Sequence, residues 1–237
     1  MALKVLIACE ESQRVCTAFR ERGFEAYSAD IQEPSGGHPE WHILGDVLQG
    51  LQGGSYETMD GAEHSVEKWD LLIAHPPCTY LSNAGACRLY PKAGRLNKER
   101  CAKGMQGKAF FMRFLQADCE HIAVENPTPS VVYSMPPYSQ VIQPYEFGHP
   151  YSKKTCLWLK NLPTLTPTKI LTEYKPYLPS NTSKNKGNPD KHGVSGSGDN
   201  SKVRSKTFEG IAAAMAQQWG DYLTGKTDRQ LSLFKEE

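Results

Sequence analysis

Residues 4–30 leave the fold least choice. Lys4-Val5-Leu6-Ile7-Ala8-Cys9 is an apolar run of strand length. From Ser12 to Arg22 the residues Val15, Cys16 and Phe19, with Ala18 beside them, return at helical spacing, and Gly23 provides a C-cap where they stop. Glu25-Ala26-Tyr27-Ser28-Ala29-Asp30 is a second strand that finishes on a carboxylate. Two strands joined by one helix make a β-α-β unit, in which the strands run parallel and the crossover is right-handed. The expected fold class is therefore α/β, a doubly wound, mostly parallel sheet in a single domain.

The rest of the chain extends that sheet. After a polar loop from Gln32 to Glu40, Trp41 to Val47 reads as a weak third strand or turn ending near Asp46, and Gly50 to His64 as mixed helix and loop. Trp69-Asp70-Leu71-Leu72-Ile73-Ala74 is the kind of run that a parallel sheet buries on both faces, and His121-Ile122-Ala123-Val124-Glu125-Asn126-Pro127 reads as a further strand. Between them lie the cations Arg88, Lys92, Arg95, Lys98, Arg100 and Lys103, then an expected helix from Gly107 to Asp118 with Phe110, Phe111, Phe114 and Leu115 inward. Val141 to Tyr145 and Thr155 to Leu159 read as an antiparallel pair around Gly148-His149-Pro150. From Pro179 to Lys202 almost nothing apolar remains, which predicts a flexible polar loop. A last helix from Thr207 to Leu223 carries Phe208, Ile211, Ala212, Met215 and Trp219 on one stripe, so the expected division is a domain of residues 1–223 and a tail of residues 224–237.

Composition narrows the partners less than the pattern narrows the fold. The chain has 27 Lys and Arg against 26 Asp and Glu in 237 residues, a formal charge of +1, so any attraction to nucleic acid must come from a local basic face. No run reaches a membrane-spanning length and no cleavable leader is evident, which gives the expectation of a cytoplasmic protein that does not associate with membranes. The 7 cysteines are scattered without a Cys-x-x-Cys pair, favouring neither a disulfide framework nor a zinc site.

The chemistry is expected at the ends of the fourth and fifth strands, which stop at His75-Pro76-Pro77-Cys78 and Glu125-Asn126-Pro127. Two prolines fix the backbone and remove two amide donors, so Cys78 emerges from a stiff turn at the carboxyl edge of the sheet, where open α/β folds bind ligands. A thiolate there, with a carboxylic acid beside it, suits attack on an electron-poor ring. Adding to carbon 6 of cytosine makes carbon 5 a nucleophile, provided that an acid protonates the ring nitrogen beside the carbonyl. On this reading Glu125 needs a pKa raised by burial, and Cys78 needs positive charge nearby. A buried structural thiol and a helix-capping glutamate would fit the same two residues.

The order of these segments resembles that of the cytosine 5-methyltransferase family over most of the chain. Val5 to Cys9 with Glu10 stands where that family has its first cofactor motif, Asp30 matches its ribose-binding acid, and Gly45-Asp46-Val47 its adenine contact. Pro77-Cys78 matches the nucleophile motif and Glu125-Asn126 the acid motif. The resemblance implies a Rossmann-like methyltransferase fold that binds S-adenosylmethionine, or a derivative of it, through Cys9, Glu10, Asp30, Ile31, Asp46, His75 and Pro76, and acts on DNA. It further implies catalysis by Cys78 and Glu125. The departures are specific: Cys9-Glu10-Glu11-Ser12 holds no glycine, Thr79 replaces a glutamine, and Tyr151 and Lys153 replace the glutamine and arginine of a Gln-x-Arg motif. Lys153 keeps a positive charge near the base without the planar fork of arginine. No separate target-recognition domain fits between residues 160 and 205, as in a compact phage or bacterial member, and the span from Lys184 to Arg204 is the remaining candidate for sequence choice.

The resemblance places Arg88, Arg95, Lys98 and Lys103 over bound DNA, in the loop that closes on a flipped base. Gln230-Leu231-Ser232-Leu233-Phe234 resembles the pentapeptide by which bacterial replication and repair proteins dock on the DNA sliding clamp, with Gln230, Leu231, Leu233 and Phe234 as the contacts. The leading expectation is a monomeric DNA (cytosine-5) methyltransferase. Two others remain open: the same Cys78 chemistry with an altered sulfonium cofactor or a free pyrimidine nucleotide, and a non-catalytic DNA- or clamp-binding protein on a degenerate methyltransferase fold.

Overall fold

The computed structural model describes residues 2–86, 88–91, 94–177 and 201–226. In chain order its elements are β1 (Lys4–Ala8), α1 (Arg14–Glu21), β2 (Glu25–Asp30), β3 (His42–Leu44), β4 (Gly54–Glu57), β5 (Glu63–Val66), β6 (Leu71–Ala74), α2 (Asn83–Ala86) and α3 (Lys98–Leu115). There follow β7 (His121–Pro127), β8 (Gln140–Ile142), β9 (Tyr151–Ser152), β10 (Thr155–Lys160), β11 (Lys175–Pro176), α4 (Ser201–Ser205) and α5 (Glu209–Leu223). Seven strands form the main sheet in the order β3-β2-β1-β6-β7-β10-β8. β3, β2, β1, β6 and β7 are mutually parallel, and β10 lies antiparallel between β7 and β8. This is the doubly wound, mostly parallel α/β sheet expected from residues 4–30.

Side-chain alternation decides how the layers close. Val5 and Ile7 of β1, Leu71 and Ile73 of β6 and Ala123 of β7 face one way, onto Val15, Cys16 and Phe19 of α1 and onto Ile211, Met215 and Trp219 of α5. Leu6, Ala8, Leu72, Ala74, Ile122 and Val124 face the other way, onto Phe111 and Phe114 of α3. Both faces are thus covered, which is why these strands read as nearly continuous apolar runs.

The structure corrects four boundaries. Gly50 to His64 is not mixed helix and loop: β4 and β5 pair as an antiparallel hairpin, with Tyr56 opposite His64 and both rings against Tyr27. The helix expected at Gly107 starts at Lys98, because the Asn97 side chain accepts the amide of Arg100 and caps it there. Gly104 lies inside that helix, where a Cβ would run into the Tyr133 ring, so close packing explains a residue that otherwise reads as a breaker. The expected last helix starts at Glu209 rather than Thr207, and Ser201 and Lys202 belong to α4 rather than to the polar loop. The rest of that loop, up to residue 200, Lys92, and the clamp-like residues Gln230, Leu231, Leu233 and Phe234 lie outside the described residues. Among the described residues no helix is long and apolar enough to cross a membrane.

Candidate active site at the sheet switch point

β1 has β2 on one side and β6 on the other, so the winding of the sheet reverses between β1 and β6. The carboxyl ends of these strands flank the crevice in which such sheets hold ligands. His75 extends the parallel ladder by one residue, its amide donating to the Ala8 carbonyl at 2.9 Å. The chain then turns through Pro76, which is buried, and Pro77, which is not. Neither proline has an N–H to leave unpaired, and the Pro76 carbonyl accepts the Asn126 side-chain amide at 2.7 Å. That bond ties the end of β6 to the end of β7. Further bonds lace the two loops together: Asn83 N–H to the Thr128 carbonyl at 2.8 Å and Ser130 N–H to the Leu81 carbonyl at 2.7 Å. The Cys78 carbonyl accepts the amides of Leu81 and Ser82, which closes the turn and leaves the thiol half-buried on it.

Strand register brings the acid to this edge. Ala74 lies opposite Val124, so the next residues, His75 and Glu125, stand side by side, with Nδ1 of His75 3.2 Å from Oε2 of Glu125. Burial alone would raise the Glu125 pKa. The hydrogen bond and charge of His75, with help from Lys153, overcome burial and hold Glu125 below the usual carboxylate range. The sequence expectation of a raised Glu125 is therefore reversed, because that reading gave the carboxyl no cationic neighbour. Burial likewise opposes charge on His75, but the Glu125 hydrogen bond and the charges of Glu125 and Glu10 raise its pKa all the same. Burial, then the charge of Glu125, pushes the Cys78 thiol up, while Lys153 and Arg204 pull it back. Lys153 faces both groups. Its Nζ donates to the Arg204 carbonyl at 2.7 Å, and burial lowers its pKa against the pull of Glu125 and Cys78. A small cleft lined by Glu125, Lys153, Thr155, Phe208, Ile211 and Met215 opens beside them.

The expected cofactor residues divide in two. Cys9 adopts φ 59°, the left-handed conformation that glycine takes most easily, so the loop after β1 turns there without a glycine. Burial raises the Cys9 thiol, and the charges of Asp30 and Asp46 add to it, so these three converge on one edge. Asp30 Oδ1 accepts the Gln32 amide, Asp46 Oδ1 accepts the Leu48 amide, and the Gly45 amide donates to the Asp30 carbonyl. Ile31, 79% exposed, stands beside them as a bare apolar surface. Glu10 is different. It turns inward and accepts the first amides of α1, Val15 at 2.7 Å and Cys16 at 3.1 Å, so its carboxylate fills the positive end of that helix. His75 and Pro76, also expected at the cofactor, make contacts with Glu125 and Asn126.

Glu11 and Arg100 stand out in the structure, although sequence reasoning named Glu11 only in a glycine-free run and Arg100 only among the cations. The Glu11 side chain is buried, and neither of its oxygens has a partner among the described residues. A buried carboxylate of this kind fits a cationic group, and S-adenosylmethionine carries two, an ammonium and a sulfonium. Arg100 donates to the Thr79 carbonyl at 3.0 Å and stacks over the Tyr80 ring, pinning the turn next to Cys78. Arg88, Arg95, Lys98 and Lys103 are all exposed, and Lys103 pairs with Glu99 at 2.8 Å. The cations thus run from the loop onto the first turns of α3 rather than staying in a loop.

No family model matches the chain, and no curated protein matches it. Among solved structures it is similar to a protein described as a DNA modification methyltransferase encoded within an E. coli prophage, at a TM-score of 0.40 and 13% identity over 72% of this chain and 52% of that one. It is also similar to the Entamoeba histolytica methyltransferase EhMeth, at a TM-score of 0.40 and 13% identity over 72% of this chain and 58% of that one. The chain therefore spans little more than half the length of either structure.

Proposed function

We propose that this protein is a DNA base-modifying methyltransferase that acts on carbon 5 of cytosine through a covalent bond to Cys78. The observation that carries the reading is the placement of Cys78, on the turn after β6, beside Glu125 near the end of β7, with Lys153 acting on both. Cys78 Sγ bonds to carbon 6, the displaced electron pair reaches the ring nitrogen N3, and N3 takes a proton at Glu125. Carbon 5 then accepts the methyl group, N3 returns its proton, and loss of the carbon 5 proton to water expels the thiolate. S-adenosylmethionine, when bound, would supply the methyl group as an electrophile on its sulfonium and leave as the neutral thioether. Asp30, Ile31, Asp46 and Glu11 are the residues that would hold it. Arg88, Arg95, Lys98 and Lys103 would meet phosphates, and Lys153 would favour the thiolate at Cys78.

Incubation of the protein with DNA and S-adenosylmethionine labelled in the methyl group tests the reading. Digestion should yield labelled 5-methylcytosine. A modified cytosine of another mass would keep Cys78 chemistry but change the cofactor, an alternative favoured by the Glu10 carboxylate filling the start of α1. DNA binding with no modified base would favour a non-catalytic protein.

The cofactor residues can be checked without turnover. Calorimetry of S-adenosylmethionine binding should show about tenfold weaker binding for Glu11→Gln, Asp30→Ala and Asp46→Ala, since each removes one charge-assisted contact of about 1.5 kcal/mol. Unchanged binding in all three variants would move the cofactor away from this edge.

The tail reading is a partner proposal. A labelled peptide of residues 226–237 should bind a bacterial sliding clamp by fluorescence anisotropy, and Phe234→Ala should abolish that binding. A wild-type peptide that stays free would remove the clamp as a partner.

A further inference from the structure

We propose that His75 is the positioning residue of the acid at Glu125, fixing its carboxyl through Nδ1 and sharing with it the proton that the base ring takes at N3. The inference rests on the reading of Glu125 as the acid of a base-modifying site. The two side chains are 8% and 17% exposed, so their contact is shielded from competing water. His75 Nε2 is buried and has no partner among the described residues, so no second hydrogen bond draws the ring away from Glu125. The charged groups that face the imidazole are Glu125 at the end of β7, Glu10 in the loop after β1, and Lys153 ahead of β10. Two carboxylates against one ammonium favour the imidazolium.

The contact sets where the proton of the pair rests. With the charged ring beside it, Glu125 sits below the usual carboxylate range and holds no proton of its own to give. The pair holds one. As the Sγ–C6 bond forms, N3 takes a proton and the pair passes from imidazolium and carboxylate to neutral imidazole and carboxylate. When carbon 5 takes its new group, N3 returns the proton and the pair is restored. The register of β6 and β7, which sets Ala74 opposite Val124, makes the contact a consequence of strand pairing rather than of side-chain chance.

The test uses the full chain. In ¹⁵N-histidine spectra, with the His75 signal assigned by its loss in His75→Asn, the ring should titrate above the ordinary value of 6.5 and move down by about one unit in Glu125→Gln. Covalent capture by DNA containing 5-fluorocytosine, with S-adenosylmethionine present, should slow about tenfold to hundredfold in both His75→Gln and His75→Asn, and its pH profile should lose the limb that follows His75. Asparagine keeps a donor near the Nδ1 position but cannot release a proton. Recovery of the wild-type rate in His75→Asn would therefore reduce His75 to a structural prop and overturn the inference. A His75 ring that titrates normally and ignores Glu125→Gln would overturn it as well. If the wild-type protein forms no adduct, the function reading itself falls, and the inference with it. If it forms one and the His75 variants match its rate and pH profile, only the inference falls.

Discussion

In the presence of S-adenosylmethionine, Cys78→Ser should form no covalent complex with DNA containing 5-fluorocytosine and should lose methyl transfer by on the order of 10⁴-fold or more, whereas the wild-type protein should be captured in a one-to-one adduct. The size of the effect follows from the nucleophile. Cys78 starts at a disadvantage, because burial and the Glu125 charge raise its thiol, while Lys153, Arg204 and a backbone hydrogen bond at Cys78 act to stabilise the thiolate. A hydroxyl at the same place would need far more stabilisation than one ammonium and one guanidinium supply, so serine holds the shape and loses the reactivity. Folding should hardly notice. The turn is closed by the Cys78 carbonyl, not by its sulfur, so thermal unfolding should change by less than about 1 kcal/mol. Intact-mass measurement of the protein–DNA mixture reads the adduct directly. A wild-type protein that binds this DNA and S-adenosylmethionine yet gains no mass would remove the covalent mechanism.

How much of this was legible in the sequence depends on the kind of signal. The sheet was legible because β1, β6 and most of β7 are buried on both faces, and double burial writes itself as an unbroken apolar run. The β4–β5 hairpin was not, because Tyr56, His64 and Val66 are the residues that face inward along it, too few among glycines and acids to mark two strands. The start of α3 was missed for a related reason. Its first turns carry Lys98, Glu99 and Lys103 on an exposed surface, so the Asn97 cap was the mark of the boundary.

The site divides in the same way. Cys78 and Glu125 could be named because strand ends in a doubly wound sheet share an edge. The contact of His75 with Glu125 needed the register, which apolar runs do not specify. Glu10 and Glu11 are adjacent carboxylates in one loop, and sequence offers nothing to separate them. The backbone does: Cys9 at φ 59° and Gln13 at φ 56° turn Glu10 onto the α1 amides and leave Glu11 buried without a partner among the described residues.

Glu125→Gln should separate the acid from the nucleophile by moving two rates in opposite directions. Capture of 5-fluorocytosine DNA should fall about 10²- to 10⁴-fold, since glutamine can accept from His75 Nδ1 but cannot carry a proton to N3. Alkylation of Cys78 by iodoacetamide near pH 8, read by peptide mass spectrometry, should instead speed up. The reason is electrostatic. The Glu125 charge is a larger influence on the Cys78 thiol than Lys153, so removing that charge lets the thiolate form more easily. Stability supplies a third readout with a definite pH window. Glu125 sits below its ordinary 4.5, so its contribution is present above about that pH and is lost as pH falls through the folded value. His75 sits above its ordinary 6.5, so its contribution is full below about that pH and is lost as pH rises through the folded value. The wild type should therefore exceed Glu125→Gln most between pH 4.5 and 6.5, by about 1–2 kcal/mol because glutamine keeps the hydrogen bond, and the gap should narrow on both sides. A variant that lost both capture and alkylation would point to a collapsed site rather than to a missing acid. Capture unchanged with alkylation raised would leave Glu125 an electrostatic neighbour of Cys78 and move the acid elsewhere on the sheet edge.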